Sequence, residues 1–101
     1  MRRLQFMDQA KDDLVQIKRY IAKRSGTDAV AMEFVGRLRA QCLRLAELPG
    51  QIGQLRPDLA PHLRSYAYGN YVILYRYRES VLEVISIIEG HRDIDALFDS
   101  D

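Results

Sequence analysis

The sequence is short of the residues and motifs that build metal or cofactor sites. Its single cysteine, Cys42, excludes a disulfide within the chain, and its place on the apolar stripe of a predicted helix favours core packing over thiol chemistry. The two histidines, His62 and His91, are 29 residues apart and lie in no spaced ligand motif, so there is no zinc signature. None of the six glycines belongs to a phosphate-loop pattern. We therefore predict no metal site and no cofactor.

Long apolar runs and an excess of charge of one sign are also absent. The N-terminal segment MRRLQFMDQAKDD carries two arginines with no apolar run behind them, so it does not read as a signal peptide, and no later stretch could span a bilayer. We expect a cytoplasmic protein without a membrane partner. A formal net charge of +1 does not support non-specific electrostatic binding of nucleic acid. We also expect no direct sequence-specific nucleic-acid binding by this chain alone.

Composition and periodicity predict a folded α+β domain over residues 1–101. Of the 101 residues, 48% are apolar and 29% charged, which is ordinary for a globular protein of this size. Apolar residues recur at three- and four-residue spacings in two segments, the first ending near Gly26 and the second near Pro49, and a short link between two such helices predicts a helical hairpin. Arg2 to Phe6 reads as a short first strand, and Asp8 as the N-cap of the first helix.

The stretch from Leu63 to Ile94 alternates as consecutive antiparallel strands do, with turn residues near Gly69 and Glu79. In the middle strand, one face carries Tyr71, Ile73, Tyr75 and Tyr77 and the other carries Val72, Leu74 and Arg76. The last strand is predicted to place Val81, Ile85 and Ile87 on one face and Leu82, Val84, Ser86 and Ile88 on the other. Together these patterns predict an N-terminal helical hairpin packed on an antiparallel sheet of about four strands.

Two candidate sites follow from the residues alone. A strand face left partly open beside an apolar helix pair would be a patch that a partner covers, and its members would be Leu14, Ile17, Tyr71, Ile73 and Tyr75. Acid/base cleavage of RNA would need a proton-transfer group and cations near the scissile phosphate, for which Arg64, Arg76 and His91 are the candidates. The competing interpretation of the Arg92 and Asp93 pair is a structural salt bridge, and that of the tyrosines is packing at the rim of the sheet.

Four segments and their order resemble the ParE toxins of the RelE/ParE superfamily, the toxic halves of bacterial type II toxin–antitoxin pairs. The segments are LAELPG at 45–50, LRSY at 63–66, GNYVILYR at 69–76 and EGHRDI at 89–94, and the run AKDDLVQIKRYIAKRSG is similar to the first helix of that family. The resemblance implies a toxin without its own catalytic site that inhibits DNA gyrase, blocks replication and is neutralised by a ParD-like antitoxin in a hetero-oligomer. It also implies target contact through the C-terminal region, at Arg92, Ile94, Leu97 and Phe98.

Two alternatives stay open at this point. Relatives of the RelE and YoeB kind cleave mRNA on the ribosome, but Val72 and Phe98 stand here where such nucleases carry ionisable groups, and the loop from Gln51 to Pro61 has no lysine. An apolar valine cannot stabilise a phosphorane, and phenylalanine cannot move a proton. The other alternative is a toxin-derived protein that has lost its activity and persists as a binding partner.

Overall fold

The computed structural model describes residues 2–90, and the predicted functions of His91, Arg92, Ile94, Leu97 and Phe98 lie outside the described residues. In chain order the elements are β1 (Arg3–Phe6), α1 (Asp8–Ser25), α2 (Asp28–Glu47), β2 (Gln54–Leu55), β3 (Arg64–Tyr68), β4 (Tyr71–Arg78) and β5 (Val81–Glu89). The α+β class and the helical hairpin are confirmed. Neither helix combines the length and the apolar composition needed to cross a bilayer.

Local interactions explain where α1 ends and where α2 begins. Gly26 adopts φ 78°, a left-handed conformation that glycine takes without steric cost, and its N–H donates to the Ala22 carbonyl at 2.8 Å. Thr27 then caps α2, since its hydroxyl accepts from the backbone N–H of the second and third following residues. The predicted cap of α1 is off by one residue: Met7 occupies the cap position with no side-chain hydrogen bond, and Asp8 lies in the first turn.

In the described part of the chain the sheet has the strand order β1-β5-β4-β3-β2, one strand more than predicted and not wholly antiparallel. β1 pairs with β5 in parallel, whereas β5, β4, β3 and β2 pair antiparallel. Alternation of side chains marks a strand but carries no information about its direction relative to a strand far along the chain, which is why the prediction missed the parallel pair. The extra strand, β2, is only two residues long and lies in the segment predicted as a loop.

The main core lies between the sheet and the helical hairpin. Ile73 and Tyr75 of β4 and Leu82 and Val84 of β5 are fully buried there, against the apolar stripes of both helices. The buried members from the helices are Ala10, Leu14, Ile17, Leu38, Cys42, Leu45 and Ala46. We call the sheet surface that meets these helices the helix face. The periodicity of β4 correctly grouped Tyr71, Ile73 and Tyr75 on one face, and the structure places that face in the core.

A β-bulge in β5 overturns the predicted faces of that strand. Leu74 pairs with Ser86 and the next residue, Tyr75, pairs with Val84, so Ile85 has no partner across the ladder. One extra residue inverts the alternation that follows it. As a result Ile87 joins Leu82 and Val84 in the main core, and Ile85 packs with Ile88 on the other side of the sheet.

The side of the sheet away from the helices, which we call the outer face, carries a much smaller apolar cluster. Leu63, Val72 and Leu74 are buried in it, with Leu59 and Ala60 packed at its margin. The residues from 59 to 63 belong to the connection between β2 and β3. Part of the cover that this face needs is thus supplied by the chain itself.

Candidate functional site

The five residues predicted to form an open partner-binding face lie together, but they lie inside the core. Leu14, Ile17, Tyr71, Ile73 and Tyr75 are at most 7% exposed. The expectation of a partly open strand face is therefore wrong, because the helical hairpin packs directly on it. Leu14, Ile17 and Tyr71 still reach the floor of surface grooves, whereas Ile73 and Tyr75 line none of the grooves described below.

Tyr75 and Tyr77 tie the segment after α2 to the sheet. The Tyr75 hydroxyl donates to the Ile52 carbonyl at 2.5 Å, and the Ile52 N–H donates to the Tyr77 hydroxyl at 3.1 Å. The Tyr77 hydroxyl in turn donates to the Leu45 carbonyl at 3.2 Å. Burial, and secondarily the neighbouring Tyr77, raises the pKa of Tyr75 well above its usual range. These phenols are structural hydrogen-bonding groups, so the interpretation of the tyrosines as packing residues accounts for this pair.

Gly53 lies where the same segment passes close to the sheet. Its φ is 95°, and a Cβ atom there would lie 1.9 Å from the Tyr75 hydroxyl oxygen and 2.8 Å from the Ser65 carbonyl oxygen. Only glycine fits this position, because any side chain would displace the tyrosine that holds the segment.

Arg64 lies on the helix face and contacts the same segment. It is the ladder partner of Tyr75, and residues directly opposite each other in an antiparallel pair share a face. Its guanidinium donates to the Gly53 carbonyl at 3.1 Å and to the Gln51 side-chain oxygen at 3.2 Å. Arg64 thus holds the backbone of the segment that the two tyrosines also bind.

Arg76 lies on the outer face, next to Tyr75 in the chain and therefore on the opposite side of β4. Its Nε donates to a Glu83 carboxylate oxygen at 2.6 Å, and Arg78 approaches the other carboxylate oxygen to 3.9 Å. The Glu83 side chain is only 10% exposed. The sheet therefore separates Arg64 from Arg76, and the third member of the nuclease hypothesis, His91, is outside the described residues.

Other routes to catalysis find little support within residues 2–90. No group of three histidine, cysteine, aspartate or glutamate side chains in this range could hold a metal ion. Cys42 is fully buried, and burial raises the pKa of its thiol to about 12, against a smaller opposing effect of Arg39. A thiol with that pKa is protonated at neutral pH and is a poor nucleophile. The core-packing interpretation of Cys42 agrees with this position.

The helical hairpin carries a surface groove of about 510 Å³ on its outward side. We call it the hairpin groove, and its lining residues are Lys11, Leu14, Val15, Lys18, Met32, Val35, Gly36 and Arg39. Val15 is 48% exposed and Met32 61% exposed. Sequence reasoning missed this surface, although both apolar residues lie off the core-facing stripes of their helices, and that is the signal that would have found it.

Two further grooves, of about 480 Å³ and 310 Å³, adjoin one another at the end of β5 and share Tyr20, Tyr71 and Glu89. Beside them the Asp13 carboxylate of α1 accepts from the Ser86 hydroxyl at 2.6 Å and from the Ile87 N–H at 2.9 Å. β1 pairs with β5 only as far as Val84, so Asp13 binds main chain beyond the end of that pairing. The Asp13 carboxylate therefore accepts the hydrogen bond from the Ile87 N–H that a neighbouring strand would otherwise accept.

Comparison with known proteins agrees with this architecture. No curated protein matches the chain in sequence. Among solved structures, one described as the chromosomal ParDE toxin–antitoxin system from P. aeruginosa superposes with a TM-score of 0.75 at 19% sequence identity. The match covers 90% of this chain and 98% of that chain, so the fold is similar over nearly the whole of both.

A structural likeness at 19% sequence identity shows only the fold, whereas a match to a family model shows the family. The model of the ParE toxin of the type II toxin–antitoxin system parDE matches residues 4–94, which includes every helix and strand described above except the first residue of β1. The chain belongs to the ParE toxin family of type II toxin–antitoxin systems.

Proposed function

We propose that this chain is the toxin of a type II toxin–antitoxin pair and that it acts on DNA gyrase, inhibiting the enzyme and blocking replication without a catalytic site of its own. The observation that carries the proposal is the family match over residues 4–94. The structure of a ParDE system with a similar fold over 98% of its own chain is consistent with it.

The placement of the arginines supports a non-enzymatic mode of action. Phosphoryl chemistry on RNA needs cations and a proton-transfer group around one phosphate, within hydrogen-bonding reach. Arg64 and Arg76 lie on opposite faces of β4, and each is held by groups of the chain itself. A single phosphate could not contact both without rearrangement of the sheet.

The proposed target contacts are Arg92, Ile94, Leu97 and Phe98, and they rest on the resemblance alone. Truncation after Gly90 removes all four and keeps every described helix and strand. We expect the truncated chain to lose growth arrest when expressed without antitoxin and to retain antitoxin binding. Growth arrest by the truncated chain would place the target contacts elsewhere.

The proposed partner is a ParD-like antitoxin that forms a hetero-oligomer with this chain. Of the proposed antitoxin-binding residues, Leu14, Ile17 and Tyr71 line grooves that a partner could enter. Ile73 and Tyr75 are completely buried, so they act on binding by supporting the helices that present those grooves.

The deciding experiment is a supercoiling and DNA-cleavage assay with purified chain, gyrase, ATP and plasmid, run beside a ribosome-dependent mRNA cleavage assay. We expect linearised plasmid, loss of supercoiling and intact mRNA, and addition of the antitoxin should restore supercoiling. Cut mRNA with normal supercoiling would overturn the proposal in favour of the nuclease. If neither substrate changes and expression without antitoxin leaves growth unaffected, the chain is an inactive toxin-derived binding protein.

A further inference from the structure

Three arginines lie together at one end of the outer face of the sheet. In β1, Leu4 packs against the main core, so the preceding residue, Arg3, points to the opposite face. In β4, Tyr77 packs against the same core, which places Arg76 and Arg78 on the outer face as well. We call Arg3, Arg76 and Arg78 the arginine patch.

The register of the strands brings these side chains into one small area. Arg3 pairs with Val81 of β5, and Val81 pairs with Arg78 of β4. Arg3 and Arg78 are therefore two strands apart in one row, which is roughly 10 Å. Arg76 and Arg78 are two residues apart along one strand, which is roughly 7 Å. One extended polyanion could contact all three guanidinium groups at these spacings.

A single carboxylate lies among the arginines, and its hydrogen bond holds one of them in place. Glu83 pairs with Arg76 across the ladder and is nearly buried, and it accepts a hydrogen bond from Arg76 Nε at 2.6 Å. Arg78 approaches this carboxylate only to 3.9 Å. Within residues 2–90 the Arg3 guanidinium forms no hydrogen bond or ion pair, and neither does the side chain of Glu79 in the adjoining turn. The patch therefore keeps an excess of positive charge.

The patch is accessible, and its chemistry suits phosphate. Arg3 and Arg78 are exposed and Arg76 is partly exposed. The guanidinium group is a planar fork of donors that can bind two oxygens of one phosphate, and it is more weakly hydrated than the ammonium group of lysine. All three lysines of the chain belong to α1, on the other side of the sheet. The outer face thus carries arginine alone among the strongly basic residues.

From these observations we propose that the arginine patch binds the sugar–phosphate backbone of duplex DNA without reading its sequence. None of the three grooves described above is lined by these arginines. A tight contact with another protein is usually centred on a pocket, whereas a repeating anion needs only a row of cations. The role of this contact rests on the function proposed above, because a toxin bound to gyrase would lie beside the DNA that the enzyme holds.

The size of the patch sets the strength of the contact. Each phosphate that a protein neutralises adds about −0.9 to the slope of log K against log salt concentration. Three contacts predict a slope of about −3 and a dissociation constant of roughly 10⁻⁴ M at about 50 mM salt. Binding this weak agrees with a net charge of only +1. It becomes effective when gyrase holds the chain and the DNA together, since the second contact is then intramolecular.

The first test measures binding to DNA without gyrase. Fluorescence anisotropy of a short labelled duplex is recorded between about 50 and 200 mM salt. The samples are the original chain, the patch variant Arg3→Gln with Arg78→Gln, and the control Arg19→Gln with Arg37→Gln. Both variants lose two positive charges at exposed positions, and the control positions lie on α1 and α2, away from the outer face. Thermal unfolding of each variant shows that it folds.

We expect the patch variant to bind at least fivefold more weakly than the original chain, with the salt slope reduced to about −1. The control should keep most of the original slope. Equal losses in the two variants would show only long-range electrostatics and would overturn the patch. An original chain that does not bind the duplex at the lowest salt concentration would overturn it as well.

The second test measures the linear plasmid that gyrase produces as the concentration of the chain is raised. We expect the patch variant to need roughly a tenfold higher concentration than the original chain, and the control to match the original chain. Unchanged potency of the patch variant would overturn the role of the patch on the enzyme.

The two tests separate this inference from the function on which it rests. If the chain binds DNA through the patch but leaves gyrase unaffected, the site stands and the proposed function fails. If the chain acts on gyrase and the patch variant equals the original chain in both assays, the site fails and the proposed function stands. If the patch variant keeps its affinity for DNA but acts less on gyrase, the patch contacts an acidic surface of the enzyme and the phosphate backbone is excluded.

Discussion

The two faces of the sheet are both apolar along β4, yet they are buried to different depths by different means. Among residues 2–90, Ile73 and Tyr75 on the helix face pack under two helices in a cluster of 13 buried residues, whereas the cluster of the outer face has three. On the outer face, the apolar cluster gives way along β4 to the ion pair of Arg76 and Glu83. The helix face therefore holds most of the stability, and the outer face depends on a short connection and a charged network.

A second comparison is between side chains of the helix face that form hydrogen bonds within the chain and apolar side chains of the hairpin that remain exposed. The Tyr75 hydroxyl and the Arg64 guanidinium donate hydrogen bonds to the segment after α2, at the carbonyls of Ile52 and Gly53 respectively. Val15 and Met32, by contrast, are exposed apolar residues on the outward side of the hairpin, where nothing in the described chain covers Met32. Exposed apolar surface is thus found where the core-facing pattern of the helices is broken.

The largest difference between the faces should appear on truncation of neighbouring residues of β4. We expect Tyr75→Ala to lower the free energy of unfolding by about 4 to 5 kcal/mol, because it empties the centre of the main core and leaves the Ile52 carbonyl without its donor. Leu74→Ala, equally buried on the outer face, should cost about 2 to 3 kcal/mol, since the connection that covers it can close part of the cavity. Urea denaturation measures both. Equal losses would mean that the two faces are packed alike.

Asp13 tests how firmly α1 is joined to the helix face. Asp13→Ala leaves the Ser86 hydroxyl, only 2% exposed, and the Ile87 N–H without their acceptor, and we expect a loss of about 2 to 3 kcal/mol in unfolding free energy. Asp12→Ala, at the neighbouring exposed position, is the control and should change stability by less than about 0.5 kcal/mol. Similar values for the two variants would show that the carboxylate contacts contribute nothing.

Alkaline pH should weaken the helix face specifically. Burial raises the pKa of Cys42 from 9.0 to about 12 and also raises the pKa of Tyr75, so both side chains are neutral in the folded protein. Their contribution to the free energy of unfolding is complete below the pKa of the same group in the unfolded chain. It is lost as the pH rises toward the pKa of the group in the folded protein. We expect the free energy of unfolding to fall above about pH 9 by up to about 1.4 kcal/mol per pH unit for each group.

Replacement of the titrating hydroxyl sharpens that test. Tyr75→Phe should flatten the decline above about pH 10, while Leu74→Ala, which removes no titrating group, should keep the slope of the original chain. Urea titrations at several pH values give both slopes. A slope for Tyr75→Phe as steep as that of the original chain would contradict the assignment of the alkaline loss to this phenol.

The smallest effects are expected for the charges of the outer face. Arg76→Met removes the close partner of a nearly buried carboxylate and should cost about 1 to 2 kcal/mol after allowance for the 39% exposure of the arginine side chain. Arg78→Met, whose side chain is 66% exposed and 3.9 Å away, should cost less than about 0.5 kcal/mol. Thermal unfolding at low and high salt compares them. A larger effect for Arg78→Met would reverse the roles of the two arginines.

Much of the architecture was predictable from local patterns. The alternation along β4 correctly grouped Tyr71, Ile73 and Tyr75, and the turn residues correctly placed both hairpins that flank this strand. Gly26 marked the link between the helices, because a glycine takes the left-handed φ of a helix end without steric cost.

The candidate sites were less predictable, because each depended on something beyond the spacing of residues. The bulge at Ile85 has no signature in an apolar strand, so the faces after it were inverted. Arg64 and Arg76 were grouped as neighbours on the sheet, but register places them on opposite sides of it. The exposed residues Val15 and Met32 were overlooked, since each counts as an ordinary apolar residue until the packing of both helices is known.

By itself the sequence determined the order of the helices and of every strand except β2, the apolar stripe of each helix, the lack of a zinc or phosphate-loop motif and the resemblance to the ParE toxins. These are read from the chemistry of single residues and from periodicities set by the local geometry of the backbone. Only the tertiary structure decided that β1 joins the sheet in parallel, that the tyrosine face of β4 is closed by the hairpin, and that Gly36 opens on a basic groove. Those features arise from elements far apart in the chain packing against one another, and no local pattern specifies which surface is covered.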